Sequence, residues 1–191
     1  MKNVADFLFE VGMLSKTPRS GYQFLGSGRE SVAEHILRTV FVGYCLCKLN
    51  PDLDEGRVVK MCFLHDLPEA RTGDMNYVNK KYVKVDENKA VRELTEDLFF
   101  GEDIRLAIDE FNAKQTAEAR IVRDADQLAF ILQLKECGDL GNKYADEWIQ
   151  YALQRLSTDE GKTLADQIVK TDSSHWWFKD KSDWWVNGNN R

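Results

Sequence analysis

Proline is scarce in this chain: three occur in 191 residues, at Pro18, Pro51 and Pro68. No segment alternates apolar and polar residues for long, which excludes a fold built on half-buried strands. Long apolar runs are missing as well. The longest, residues 39–47, is far short of a bilayer span, so no transmembrane helix is expected. Like charges never gather in blocks of five or more, which excludes a non-specific grip on duplex phosphates and a nucleic-acid polymer as partner. The first residues, Met1-Lys2-Asn3-Val4, lack an apolar stretch and a small-residue cleavage site, so no signal peptide is expected. The four cysteines, Cys45, Cys47, Cys62 and Cys137, form no C-x-x-C pair and sit in apolar helical patterns; they read as reduced, buried thiols. These absences together predict a cytoplasmic protein without membrane attachment. Missing too are a G-x-S-x-G elbow, a P-loop and a G-x-G-x-x-G after a strand, and no cysteine has a motif that pairs it with histidine.

The chain does have enough apolar residues, 43%, to bury a core and to rule out a disordered tail protein. Lys plus Arg is 26 and Asp plus Glu is 32, a net charge of −6. A small anionic ligand is compatible with that balance where a local pocket opposes the global charge. Helical periods follow one another. Phe7, Leu8, Val11 and Leu14 share one face of a first short helix, and a Gly/Ser-rich loop covers residues 15–29. Ser31 and Glu34 form an S-x-x-E capping box that opens a helix to about Leu49. Asp52 or Asp54 starts the next, with Val58, Val59, Cys62 and Phe63 inward, and Pro68 ends or kinks it. Gly73 and Asp74 lie in a loop, and further helices fit 86–100, 103–112, 116–140, 142–156 and 158–170. No linker or repeat divides them, so the expectation is a single all-α domain spanning residues 1–191. The tail beyond Asp172 carries four of the five tryptophans, as Trp176-Trp177 and Trp184-Trp185; such a tail packs onto the domain or onto a second subunit.

Histidine is the rarest chemistry-bearing residue here, with three: His35, His65 and His175. Asp66 follows His65 at once, and Asp126 lies well downstream. His35, His65, Asp66 and Asp126 supply two imidazoles and two carboxylates on helices that can converge in a bundle, a mixed N/O set suited to a divalent metal. Glu69 and Asp74 crowd the same stretch, and clustered carboxylates repel unless a cation holds them. The local strings are Ser31-Val32-Ala33-Glu34-His35, His65-Asp66-Leu67-Pro68-Glu69-Ala70, Thr72-Gly73-Asp74 and Asp124-Ala125-Asp126-Gln127-Leu128.

In that order the strings match an H…HD…D signature, and the chain resembles the HD-domain metal-dependent phosphohydrolases, in particular their 5′-deoxynucleotidase branch. The resemblance covers about residues 14–156, including Pro18-Arg19-Ser20-Gly21-Tyr22, and implies a helical HD-domain bundle there, with a C-terminal helix and Trp-rich tail over 157–191. It implies that His35, His65, Asp66 and Asp126 bind the metal, with Asp126 rather than Asp124 as the ligand. Asp124 is then a solvated group or one that supports the ligands from behind. Glu69 and Asp74 match the family's catalytic carboxylates, and Arg19 matches an arginine that grips the substrate phosphate with parallel donors. Where the family often has tryptophan after the arginine, Tyr22 stands to stack on the nucleoside. A homodimer is implied as well.

The activity so implied is hydrolysis of (deoxy)nucleoside 5′-monophosphates by a metal-activated water, the ion being Mn, Co, Fe, Zn or Mg. Glu69 is expected to orient the water and Asp74 to serve the leaving 5′-oxygen, or the reverse. Glu34 belongs to the capping box, Arg29 and Arg38 read as surface charge, and Arg71 is expected to pair with a motif carboxylate. His175 has no assigned role. The alternatives are an HD phosphohydrolase acting on another small phosphoester or a (p)ppGpp-type nucleotide, and a nucleotide-binding regulator without catalysis. Ala70 stands where the (p)ppGpp hydrolases carry an acidic residue, which disfavours that substrate.

Overall fold

The computed structural model describes residues 2–178 and Gly188, and the Trp184-Trp185 half of the expected aromatic tail lies outside them. Helix α1, Lys2–Val11, runs on as a 3₁₀ turn, Gly12–Ser15. A short α2, Tyr22–Leu25, interrupts the expected loop and ends on Gly26, whose φ of 68° suits a residue without Cβ. Helix α3, Val32–Leu49, opens as expected: the Ser31 hydroxyl accepts from Glu34 N at 3.2 Å and the Glu34 carboxylate accepts from Ser31 N at 2.6 Å. Helix α4, Glu55–Leu64, is capped by Asp54, which accepts from Arg57 N at 3.0 Å. Pro68 does not end α4, which already stops at Leu64. Proline instead stands at the start of α5, Glu69–Thr72, where its missing N–H costs nothing. The turn between α4 and α5 carries His65 and Asp66.

Four-residue α6, Asn79–Tyr82, precedes α7, Glu87–Thr95. The latter ends earlier than its apolar period suggests, because α8, Gly101–Ala113, begins against it: a Cβ on Gly101 would sit 2.1 Å from the Thr95 carbonyl oxygen. Helix α9, Ala117–Asp139, is capped by Thr116. Helix α10, Ala145–Leu153, starts late because the Asn142 side chain accepts from Tyr144 N at 3.0 Å and makes a turn of residues 142–144. Thr158 caps α11, Asp159–Lys170, and α12 is His175–Phe178. Among the described residues there is no strand; an isolated antiparallel bridge joins Pro18 to Ser31.

Helix α9 is central. Ile121, Val122, Ala125, Leu128, Ala129, Ile131 and Leu134 are all buried, so it is apolar on more than one side, as a helix surrounded by others must be. Helices α3, α4, α8, α10 and α11 pack around it. Each fully buried Leu or Ile of this core contributes about 1.5–3 kcal/mol. A close approach brings α3 against α4: a Cβ on Gly43 would lie 2.6 Å from Cys62 Sγ and 3.3 Å from Val58 Cγ1. The inward face of α4 is rotated from the expected one. Val58, Met61, Cys62 and Leu64 are buried, Val59 is half-buried, and Phe63 points out, 61% exposed. Cys45 is exposed too, unlike the other three cysteines, and all four are free thiols. Trp176 is 83% exposed, and Ser173 N, just before it, donates to Asp139 Oδ2 at the end of α9 at 2.8 Å.

Candidate metal centre and phosphate cleft

The C-terminal end of α4 and the turn after it place His65 and Asp66 opposite His35 on α3 and Asp126 on α9. The His35 Nε2 lies 3.0 Å from Asp126 Oδ1 and 3.8 Å from Asp66 Oδ2, and His65 Nε2 lies 3.2 Å from Asp66 Oδ2. One oxygen of Asp126 and one nitrogen of each histidine fall within 4.8 Å of one another. Both imidazoles are buried.

This donor set fits a divalent cation, and the buried atoms show it. The His65 Nδ1 donates to the Cys62 carbonyl at 2.8 Å, which leaves Nε2 as the lone-pair nitrogen turned to the cluster. That Nε2 is buried and has no directional hydrogen bond among the described residues, although Asp66 is near. Two imidazoles and two carboxylates sharing one small space are the ligands that Mn, Co, Fe or Zn accept. Among the protein groups alone, the electrostatics are those of a tight ion cluster. Burial works against a charged His65, yet Asp66 and Asp126 lift it to about 9. Burial likewise resists ionisation of Asp66 and Asp126, and the facing histidines hold both below the usual carboxylate range.

A cleft of about 200 Å³ opens beside the cluster. Arg19, Asp66, Glu69, Asp74 and Asp126 line one part of it, and Tyr77, Phe130, Trp148 and Arg155 another. Arg19 Nη1 donates to Asp66 Oδ2 at 3.4 Å. Burial opposes its charge, but Asp66, Asp126, Asp74 and Glu69 around it keep the guanidinium protonated well beyond its ordinary range. Asp74 Oδ2 accepts from Ser20 N at 2.6 Å and from the Ser20 hydroxyl at 3.2 Å, so its carboxylate is fixed. Glu69 is pushed up to about 9 by burial first and then by Asp66 and Asp74, and its Oε2 is buried with no hydrogen-bond partner among the described residues.

All eight residues singled out in the sequence thus reach one region, but several neighbours differ from expectation. Tyr22, 8% exposed, lines the cleft and its hydroxyl donates to Glu30 Oε2 at 3.2 Å; Phe24, Tyr77, Phe130 and Trp148 add further aromatic side chains to the lining. Asp124 is not solvated. It is fully buried and accepts from the backbone and hydroxyl groups of Ser157 and Thr158 at the start of α11. Arg71 turns away from the motif carboxylates and pairs with Glu10 and Glu93. Arg38 pairs with Glu136 at 3.1 Å, Arg29 is exposed, and His175 is exposed on α12.

Three contributors escape a reading of the sequence. Glu30, 4% exposed, lies behind His35 and Arg19. Gln127 donates to Asp126 Oδ2 at 2.9 Å and accepts from Arg155 Nη1 at 3.1 Å. Arg155 in turn lies over the Tyr77 ring, 5.2 Å from its centroid. Gln127 stands inside a quoted motif, a usable signal; Glu30 and Arg155 have none.

The chain is similar to several curated proteins. It is 31% identical over 150 residues to 5′-deoxynucleotidase HDDC2 of Bos taurus, covering 74% of this chain and 71% of that protein. The human protein of the same name is 29% identical over 150 residues, covering 74% of this chain and 72% of its own length. Among solved structures, a conserved hypothetical protein from Pyrococcus furiosus superposes with a TM-score of 0.77 at 25% identity, over 87% of this chain and 99% of the other. A family model described as HD domain matches residues 11–168, the stretch that holds both histidines, both aspartates and the cleft. The chain belongs to the HD domain family.

Proposed function

We propose that the chain is a metal-dependent phosphomonoesterase that hydrolyses deoxynucleoside 5′-monophosphates to nucleoside and phosphate. One observation carries the reading: a divalent-metal donor set opens through Asp66 and Asp126 onto a cleft that also holds a half-buried arginine and a wall of aromatic side chains. The name 5′-deoxynucleotidase on relatives that match over most of their length supports it. His35, His65, Asp66 and Asp126 hold the ion, which supplies Lewis acidity toward phosphate and acidifies water.

The remaining work falls to the chain's own residues. Arg19 offers its guanidinium to the phosphate oxygens, where charge spreads as the P–O bond loosens. Glu69 and Asp74 divide the two proton transfers between them: one takes the attacking water's proton, and the other gives a proton to the departing 5′-oxygen as its bond to phosphorus breaks. Glu69, pushed up to about 9, is suited to the donor's part, and the Asp74 carboxylate fixed by Ser20 to the acceptor's. Tyr77, Phe130 and Trp148 give the base a stacking surface, since every base has a π-face to offer. The reading includes a homodimer in the cytoplasm, a setting consistent with four free cysteines.

The test is phosphate release from a panel of deoxy- and ribonucleoside 5′-monophosphates, with Mn, Co, Fe, Zn and Mg added in turn and Asp66→Ala alongside. Turnover that needs metal and vanishes in Asp66→Ala is expected, with deoxynucleotides favoured. Silence across the panel from a metal-loaded protein would overturn the proposal.

A further inference from the structure

Both histidines of the cluster must present Nε2 to a cation, so each needs its Nδ1 proton held from behind. For His65 the Cys62 carbonyl does this at 2.8 Å. For His35 no backbone carbonyl plays that part. Its Nδ1 is buried without a hydrogen bond among the described residues, and the carboxylate facing it is Glu30, with Oε2 at 3.9 Å. The Glu30 side chain is 3% exposed, and the same Oε2 accepts from the Tyr22 hydroxyl at 3.2 Å and lies 3.9 Å from Arg19 Nε. One oxygen therefore stands between a metal-binding imidazole and the phosphate-gripping guanidinium.

The backbone holds it there. Arg19 N donates to the Glu30 carbonyl at 2.9 Å, Val32 N donates to the Thr17 carbonyl at 2.9 Å, and Pro18 bridges Ser31. This clasp ties the loop that carries Arg19 to the first turn of α3, which carries His35. At 3.9 Å the Glu30–His35 contact is an ion-pair distance rather than a hydrogen bond, and it is attractive when the imidazole carries its proton on Nδ1.

We infer that Glu30 is a positioning residue: it holds His35 with the proton on Nδ1, leaving Nε2 for the metal, and it aligns Arg19 with the same carboxylate oxygen. The inference rests on the metal centre proposed above. A buried glutamate that served Arg19 alone would change phosphate binding and leave metal affinity as it was.

The experiment is a calorimetric Mn²⁺ titration of the full, metal-stripped chain as wild type, Glu30→Gln and Glu30→Asp, with thermal melts of each metal-free protein. Glu30→Gln keeps the shape and an acceptor for Tyr22 but removes the charge facing Nδ1. Its Mn²⁺ affinity should fall on the order of tenfold to a hundredfold, the usual effect of losing such a partner, while the metal-free melt stays where it was. Wild-type affinity in Glu30→Gln overturns the inference, even where the KM for nucleotide rises, since that pattern assigns Glu30 to Arg19 alone. Should Glu30→Gln fail to fold, Glu30→Asp decides: its carboxylate retreats by one methylene, weaker Mn²⁺ binding is expected, and wild-type affinity refutes. Wild-type protein that binds no Mn²⁺ sinks the metal centre and this inference together, whereas wild-type binding matched by both variants sinks Glu30 only.

Discussion

Asp124 and Asp126 stand within one turn of α9 and do unrelated work, so replacing each with alanine should fail differently. The Asp124 carboxylate, fully buried, accepts from Ser157 N at 3.0 Å, Ser157 Oγ at 3.1 Å, Thr158 N at 2.8 Å and Thr158 Oγ1 at 2.6 Å. In Asp124→Ala the Ser157 hydroxyl can turn to water, because Ser157 is exposed. The two backbone N–H groups at the start of α11 cannot all do so. Hydrogen bonds to a charged acceptor contribute roughly 1.5–3 kcal/mol each, so losing two, with partial rehydration, costs about 3 kcal/mol. For a chain of this size that lowers Tm by about 6–12 °C. Urea denaturation should show a lower midpoint with unchanged slope, and Asp124→Asn, which keeps one acceptor oxygen, should lose less. At a temperature where Asp124→Ala is folded it should still bind Mn²⁺, whereas Asp126→Ala should not. A loss below about 1 kcal/mol, the ordinary effect of an unremarkable substitution, would refute the anchoring account. So would a folded Asp124→Ala that no longer binds metal.

Trp148→Ala should weaken handling of nucleotides selectively. Base stacking on an aromatic ring contributes about 1–3 kcal/mol, so KM for a deoxynucleotide should rise by about 5- to 150-fold while hydrolysis of ribose 5-phosphate hardly changes; equal losses for both would remove the aromatic wall from substrate binding. Gly43→Ala forces a methyl to 2.6 Å from Cys62 Sγ and should cost about 1–3 kcal/mol by thermal melt, most of it regained in the double variant with Cys62→Ala. An additive double variant would place the strain elsewhere. The Ser31 backbone N–H and hydroxyl hold the Glu34 carboxyl below its usual range. Its contribution to stability is then present above the unfolded-state value, near 4.3, and lost as pH falls through the folded-state one. Glu34→Gln should therefore be less stable than wild type at neutral pH and indistinguishable in strong acid, as melts across pH would show.

What the sequence made legible depended on how locally each feature is encoded. The capping box of α3 needs only Ser31 and Glu34, and both bonds are present. The adjacent pair His65-Asp66, with His35 and Asp126, was found because few histidines compete for notice and the strings around them keep a recognisable order. Phase along a helix was harder to read. On α4 the apolar residues occupy most sides, so Phe63 and Met61 could not be told apart as outward and inward until α3 and α9 were docked on it. Partners set by tertiary distance were not legible. Arg71 is next to motif carboxylates in sequence, but Glu10 on α1 and Glu93 on α7 reach it in space. The aromatic wall draws Phe130 from α9, Trp148 from α10 and Tyr77 from a loop, and no spacing rule joins them.

The proposed metal ligands come from far apart along the chain: the His35–Asp126 pair spans 91 positions. An unfolded chain offers a cation little more than His65 with its neighbour Asp66, so binding is reserved for the bundle in which α3, α4 and α9 have already met. Mass action then ties survival to metal supply. With free ion at about a hundred times its dissociation constant, the folded state gains about 2.7 kcal/mol over the unfolded. If those residues hold the ion as proposed, a cell short of it would hold fewer folded copies of the protein as well as slower ones.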